Sequence, residues 1–143
     1  QSMPGGGTTD YAVDIFHHAV RGERYTCFLA DDARLPMMYM DDAVRATIEL
    51  MGAPAAQIKT RTAYNIAGMN FTPAEITAAI QAEIPGFEVA YQPDFRQQIA
   101  ESWPENIDDS EARADWGWKP AYDLTALTRD MLTNLREMAS AAL

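Results

Sequence analysis

The chain has 143 residues, 48% of them hydrophobic, with a formal net charge of -10 and a sequence pI of about 4.4. That length fits one domain, and that apolar fraction is enough to build a core, which argues against disorder. A surface this acidic repels phosphate backbones, which speaks against nucleic acid as a partner.

Gln1-Ser2-Met3 reads as the remnant of a cleavable tag followed by a start Met, so residues 4–143 are taken as the domain. Gly5-Gly6-Gly7 forms a turn or loop. Thr8, Thr9 and Asp10 each suit a helix N-cap. Tyr11, Val13, Ile15, Phe16, Ala19 and Val20 then give an amphipathic helix that stops at Gly22. Residues 25–29 read as a strand. After the polar turn Asp31-Asp32-Ala33-Arg34, residues 35–40 are a short apolar run whose Pro36 suits an edge or isolated strand. Asp41-Asp42 is read as the cap of a second helix, which carries Ala43, Val44, Ala46, Ile48, Leu50 and Met51 and ends at Gly52 and Pro54.

Residues 62–66 read as a third strand closing at Gly68. Thr72-Pro73-Ala74-Glu75 has the pattern of a capping box with Pro in the first turn, and predicts a helix to about Ile84. Residues 87–91 alternate as a strand does. Residues 94–102 predict a short helix and residues 104–107 a loop. Asp108 or Asp109 caps another short helix ending near Trp116, and Gly117-Trp118-Lys119-Pro120 is a turn. Asp123 caps the last helix, in which Leu124, Leu127, Met131, Leu132 and Leu135 form one stripe. The order predicts a mixed α/β fold with short strands and several helices.

Few residues carry chemistry by type alone. The lone cysteine, Cys27, sits in a strand-like run and reads as a buried, inert thiol, which fits a reducing cytoplasm. His17 and His18 are adjacent on a helix and point different ways, so no metal is expected. The pairs Asp31-Asp32, Asp41-Asp42 and Asp108-Asp109 fall at turns or helix starts, where capping accounts for them. Arg34 and Arg96 are candidate anion ligands, with surface ion pairs as the commoner fate of such residues. Trp116 and Trp118 read as packing a turn against the core, and the methionines as core filling. No apolar run approaches the roughly 20 residues of a membrane span, so no membrane partner is expected.

Three segments in order resemble the C-terminal part of extended short-chain dehydrogenases/reductases. They are Tyr39-Met40-Asp41-Asp42-Ala43-Val44-Arg45-Ala46, Tyr64-Asn65-Ile66-Ala67-Gly68 with Thr72 and Glu75, and residues 109–120 with their Gly-Trp-x-Pro close. Within that family the chain is similar to the NAD-dependent L-threonine 3-dehydrogenases of the short-chain type. The match rests on Pro4-Gly5-Gly6-Gly7-Thr8-Thr9-Asp10-Tyr11, Arg34-Leu35-Pro36-Met37-Met38-Tyr39, Pro93-Asp94-Phe95-Arg96-Gln97 and Ser102-Trp103-Pro104. Sugar-nucleotide epimerases, the alternative, usually carry an Arg-Asp-aromatic run where Leu35-Pro36-Met37-Met38 stands.

The resemblance implies a substrate-binding part of an enzyme that oxidises L-threonine to 2-amino-3-oxobutanoate with NAD. The family's Gly-x-Gly-x-x-Gly turn and Tyr-x-x-x-Lys pair are missing, since the lysines are Lys59 and Lys119 alone. The nucleotide-binding half, and with it NAD and every catalytic residue, is expected in a separate N-terminal part, and this chain is expected to be inactive alone. Gly7, Thr8 and Thr9 are the expected substrate-carboxylate ligands, because glycine admits close approach and a helix start offers N–H groups. A plain cap is the bland reading of the same residues. Trp103 is an aromatic lid over the substrate or a core anchor. An apolar face left open by the absent half would permit self-association, and a stand-alone binding module is the reading from another class.

Overall fold

The computed structural model describes residues 6–141. The expectations placed on Gln1-Ser2-Met3, Pro4 and Gly5 lie outside the described residues. The elements in chain order are α1 (Tyr11–Arg21), β1 (Tyr25–Cys27), β2 (Leu35–Met37), α2 (Met40–Gly52), β3 (Met69–Phe71), α3 (Pro73–Glu83), β4 (Val89–Tyr91), α4 (Arg96–Glu101), α5 (Ser110–Trp116) and α6 (Leu124–Ala141). The fold is mixed α/β, with short strands between helices, as the sequence predicts.

The strands form two separate pairs. β1 runs parallel to β4 with Tyr25 opposite Val89. β2 runs antiparallel to β3 with Pro36 opposite Asn70. The main core lies between α1, α3 and α6 and is filled by Ile15, Phe16, Leu29, Leu35, Ile80 and Leu132, each fully or almost fully buried. Each such side chain contributes about 1.5–3 kcal/mol by leaving water. The predicted stripe of α6 faces this core through Leu127, Met131, Leu132 and Leu135. A second, smaller cluster joins Ala46 of α2, Ala112 of α5 and Trp118, whose indole N–H donates to the Ala67 carbonyl at 2.9 Å.

Local chemistry explains most helix ends. Thr72 Oγ1 accepts the Glu75 N–H and Glu75 accepts the Thr72 N–H, so the predicted capping box is formed. Asp123 accepts the Ala126 N–H at 2.8 Å and starts α6. Gly22 and Gly117 end α1 and α5 in the left-handed conformation, with φ of 68° and 80°.

Three expectations are corrected. Residues 62–66 carry no ladder, and the strand instead follows at Met69–Phe71, where β2 supplies a partner. The 62–66 segment is held by a side chain: the Tyr64 hydroxyl accepts the Lys59 and Thr60 N–H groups and donates to Asp115. Asp41-Asp42 does not cap α2, whose N-cap position is Tyr39. Asp42 is 1% exposed and reaches across the molecule, accepting the Ala121 and Tyr122 N–H groups at 3.0 Å and Arg45 at 2.7 Å. The methionines divide: Met131 is buried, whereas Met40 and Met51 are 67% and 82% exposed. With Val44 and Ile48 they make an apolar stripe along the outer face of α2, so that helix packs on the core mainly through small Ala46.

Candidate functional site

The site region begins at the turn before α1. Asp10 stands at the N-cap position of this helix, yet its side chain caps no α1 N–H. Its carboxylate instead accepts the Gly7 N–H at 2.8 Å, and its own N–H donates to the Gly7 carbonyl at 3.1 Å. The turn of Gly7, Thr8 and Thr9 is therefore preformed, with Gly7 exposed and the two threonines half-buried. A ligand carboxylate arriving here meets the helix start and also the Asp10 charge. An ammonium group meets that charge favourably.

Tyr11, the first residue of α1, stacks edge-on against Phe28 with ring centroids 6.3 Å apart. The Arg96 guanidinium lies 3.2 Å from the Phe28 ring centroid and pairs with Asp94 at 2.6 Å. That hydrogen-bonded pairing pulls the Asp94 carboxyl below its ordinary value. Arg96 opens α4, and Gln97 next to it accepts the Ala30 N–H at 2.9 Å, pinning α4 onto the loop before β2. A row of three side chains thus links the turn to the helix that leads into Trp103.

Trp103 is 42% exposed and lines an open cleft of about 270 Å³ between α4 and the loop before β2. Asp32, Arg34, Gln97, Glu101 and Glu105 are among its other walls. Arg34 is already engaged, donating to Asn70 at 2.8 Å and to Glu75 at 2.6 Å. The hydrogen bond from Arg34 holds the Glu75 carboxyl below its usual range. Three carboxylates and one committed guanidinium make the cleft net acidic, which favours a positively charged ligand group beside the indole face.

The expected residues divide accordingly. Trp103 is no core anchor in this structure, since its ring is partly exposed over a cleft. Gly7, Thr8 and Thr9 lie outside the cleft lining and are joined to it only through Tyr11, Phe28 and Arg96. Arg34 and Arg96 take the ion-pair role, with Glu75 and Asp94 as partners. Trp118 is fully buried and Trp116 packs beside it at 5.9 Å, as expected for the turn. Asp32, read from the sequence only as a turn residue, lines the cleft, as do Gln97 and Glu101, which carry no site signal by type although they stand four apart on one helix face and hydrogen-bond at 3.0 Å.

The residues present do not fit a dinucleotide. No described strand runs into a Gly-x-Gly-x-x-Gly turn, and Lys59 is ion-paired to Asp115 at 3.1 Å. Among the described residues no group of three His, Cys, Asp or Glu side chains is placed to hold a metal ion, and no helix is long and apolar enough to cross a membrane.

No family model matches the chain. It is 55% identical over 132 residues to the mitochondrial L-threonine 3-dehydrogenase of Bos taurus, covering 92% of this chain and 35% of that protein. It is 51% identical over 135 residues to an uncharacterized epimerase/dehydratase of Staphylococcus haemolyticus, covering 94% of this chain and 42% of that one. Among solved structures, the holo form of the GalE-like L-threonine dehydrogenase from Cupriavidus necator superposes with a TM-score of 0.91 at 65% identity, over 94% of this chain and 44% of its own. The UDP-glucuronic acid 4-epimerase of Bacillus cereus shares the fold alone, with a TM-score of 0.69 at 15% identity over 90% of this chain and 40% of its own. The chain thus spans less than half the length of the proteins it matches. It belongs to the extended short-chain dehydrogenase/reductase family, as that family's C-terminal part.

Proposed function

We propose that the chain is the substrate-binding part of an NAD-dependent L-threonine 3-dehydrogenase, and that it is inactive without the nucleotide-binding part of the longer protein. The likeness to the Cupriavidus necator enzyme carries this reading. Leu35-Pro36-Met37-Met38 supports it too, because the run that would meet a sugar diphosphate is apolar here. NAD binding and proton abstraction belong to the other part of the longer protein. The work of this chain is to bind and orient L-threonine and to keep water away from it. Gly7, Thr8 and Thr9 receive one end of the zwitterion, with Asp10 holding the turn in shape. Trp103, on the far side of the Tyr11, Phe28 and Arg96 row, is the aromatic lid that comes over the substrate as the two parts close together.

The α2 stripe of Met40, Val44, Ile48 and Met51 is assigned to contact with the remaining part of the longer protein rather than to self-association. A cytoplasmic location stays part of the proposal, with the bovine relative carrying a mitochondrial name.

The test is complementation. The purified chain is mixed with a separately produced N-terminal part of the Cupriavidus necator enzyme, and NADH formation is followed with L-threonine. Turnover is expected only when both parts are present, with none on sugar nucleotides. Trp103→Leu is expected to raise KM about tenfold, the loss of one aromatic contact of about 1.4 kcal/mol. Failure to complement, together with oxidation of a different substrate by an intact homologue, would sink the reading.

A further inference from the structure

We propose that the cavity between β3 and α5 is a second small-molecule site, separate from the Trp103 cleft, that takes a zwitterionic amino acid with an unbranched apolar side chain. The cavity measures about 330 Å³, which is room for one small metabolite. Its lining has an apolar part, which includes Met38, Ile66 and Ile107, and a polar part, which includes Asn106, Asp109 and Arg113.

The polar part is charged, and some of its hydrogen-bonding capacity is unused. Asp109 is only 7% exposed. Its Oδ1 accepts Arg113 Nε at 2.7 Å, while its Oδ2 has no partner among the described residues. A buried carboxylate oxygen without a donor is unfavourable, and a charged donor relieves it best. Arg113 engages its partner through Nε alone, which leaves its terminal nitrogens for an incoming group. A planar guanidinium takes a carboxylate in a two-pronged pairing. Asp109 and Arg113 therefore present one acceptor for an ammonium and one fork for a carboxylate, side by side. An α-amino acid carries both charges on one carbon, and its side chain then runs along Met38, Ile66 and Ile107. Gly68 fixes the far rim, because its Cα lies so close to β2 that an added Cβ would fall 2.8 Å from the Met37 carbonyl oxygen. This inference does not rest on the L-threonine reading, since no residue of the Trp103 cleft takes part in it.

The experiment is a titration of the 15N-labelled chain with L-norleucine, read by amide chemical shifts. Saturable shifts are expected at Ala67, Gly68, Asn106 and Ile107, with the Trp103 indole unmoved. Hexanoate lacks the ammonium and pentylamine lacks the carboxylate, so each should bind about tenfold more weakly or worse, a loss of about 1.4 kcal/mol. Arg113→Gln removes the fork. Ile107→Trp fills the cavity from a half-exposed position, so it keeps the protein folded even where Arg113→Gln loosens α5. Both should abolish the saturable shifts. The proposal is overturned by shifts that never saturate, by hexanoate binding as well as norleucine, or by binding that survives in folded Ile107→Trp.

Discussion

Removing the Asp42 carboxylate tests the link between α2 and the loop before α6. In Asp42→Ala, the Ala121 and Tyr122 N–H groups and one Arg45 nitrogen lose their acceptor. A hydrogen bond to a charged group contributes ~1.5–3 kcal/mol. Arg45 keeps Glu49 at 2.7 Å and the Lys119 carbonyl at 2.6 Å, and exposed Ala121 regains part of its loss from water. The net loss is therefore about 3 kcal/mol, or roughly 10 °C in Tm for a chain of this size. The pH dependence follows from the carboxyl's shift. Burial pushes the Asp42 carboxyl up, but Arg45 and the two main-chain donors outweigh it, and the net shift is downward. Its contribution is fully present above about pH 4, the ordinary carboxyl value, and is lost as pH falls through the depressed folded value. Urea unfolding followed by circular dichroism across pH 7 to 2 measures both effects, with Asp42→Asn as the non-titrating comparison. Wild type and Asp42→Asn should differ most at neutral pH and converge in acid. Parallel profiles, or a loss below about 0.5 kcal/mol for Asp42→Ala, the ordinary range of a surface change, would refute the argument.

Two further substitutions probe the local geometry. Gly68→Ala places a Cβ 2.8 Å from the Met37 carbonyl, and since backbone must yield, a loss of about 2 kcal/mol is expected by urea unfolding. Thr72→Ala removes one half of the capping box and should cost about 1 kcal/mol, read as a lowered urea midpoint at unchanged slope.

Where local pattern decided the structure, the sequence was readable. The capping box at Thr72 and Glu75, the Gly22 stop and the α6 stripe are each written within a few residues. Where partners distant in sequence decided it, reading failed. Residues 62–66 look more strand-like than Met69-Asn70-Phe71, but β2 aligns with the latter. Asp42 sits where an N-cap is expected, and only the folded chain brings the loop of Lys119 to Tyr122 over it. The outward methionines of α2 look like core residues until the small contact at Ala46 is seen. In the site region, Trp103 and the turn at Gly7 to Thr9 were legible as types. The carboxylates of Asp32, Glu101 and Glu105 were not, because the acidic cleft is assembled from two stretches far apart in sequence, 32–34 and 97–105, and neither announces it alone.

The two strand pairs have a consequence for how this protein fails when stressed. Among the described residues every strand has a single neighbour, so each one also has an outer margin to which another chain can add. β2 is partly guarded. Proline has no N–H to give, so the ladder bonds of β2 must run through Leu35 and Met37, and the nitrogen of Pro36 faces the open margin. No such blunting residue stands in Tyr25-Thr26-Cys27 or Val89-Ala90-Tyr91. Intermolecular strand addition on heating should therefore begin at the β1–β4 pair, and a lysine placed at exposed Thr26 is the change that would delay it.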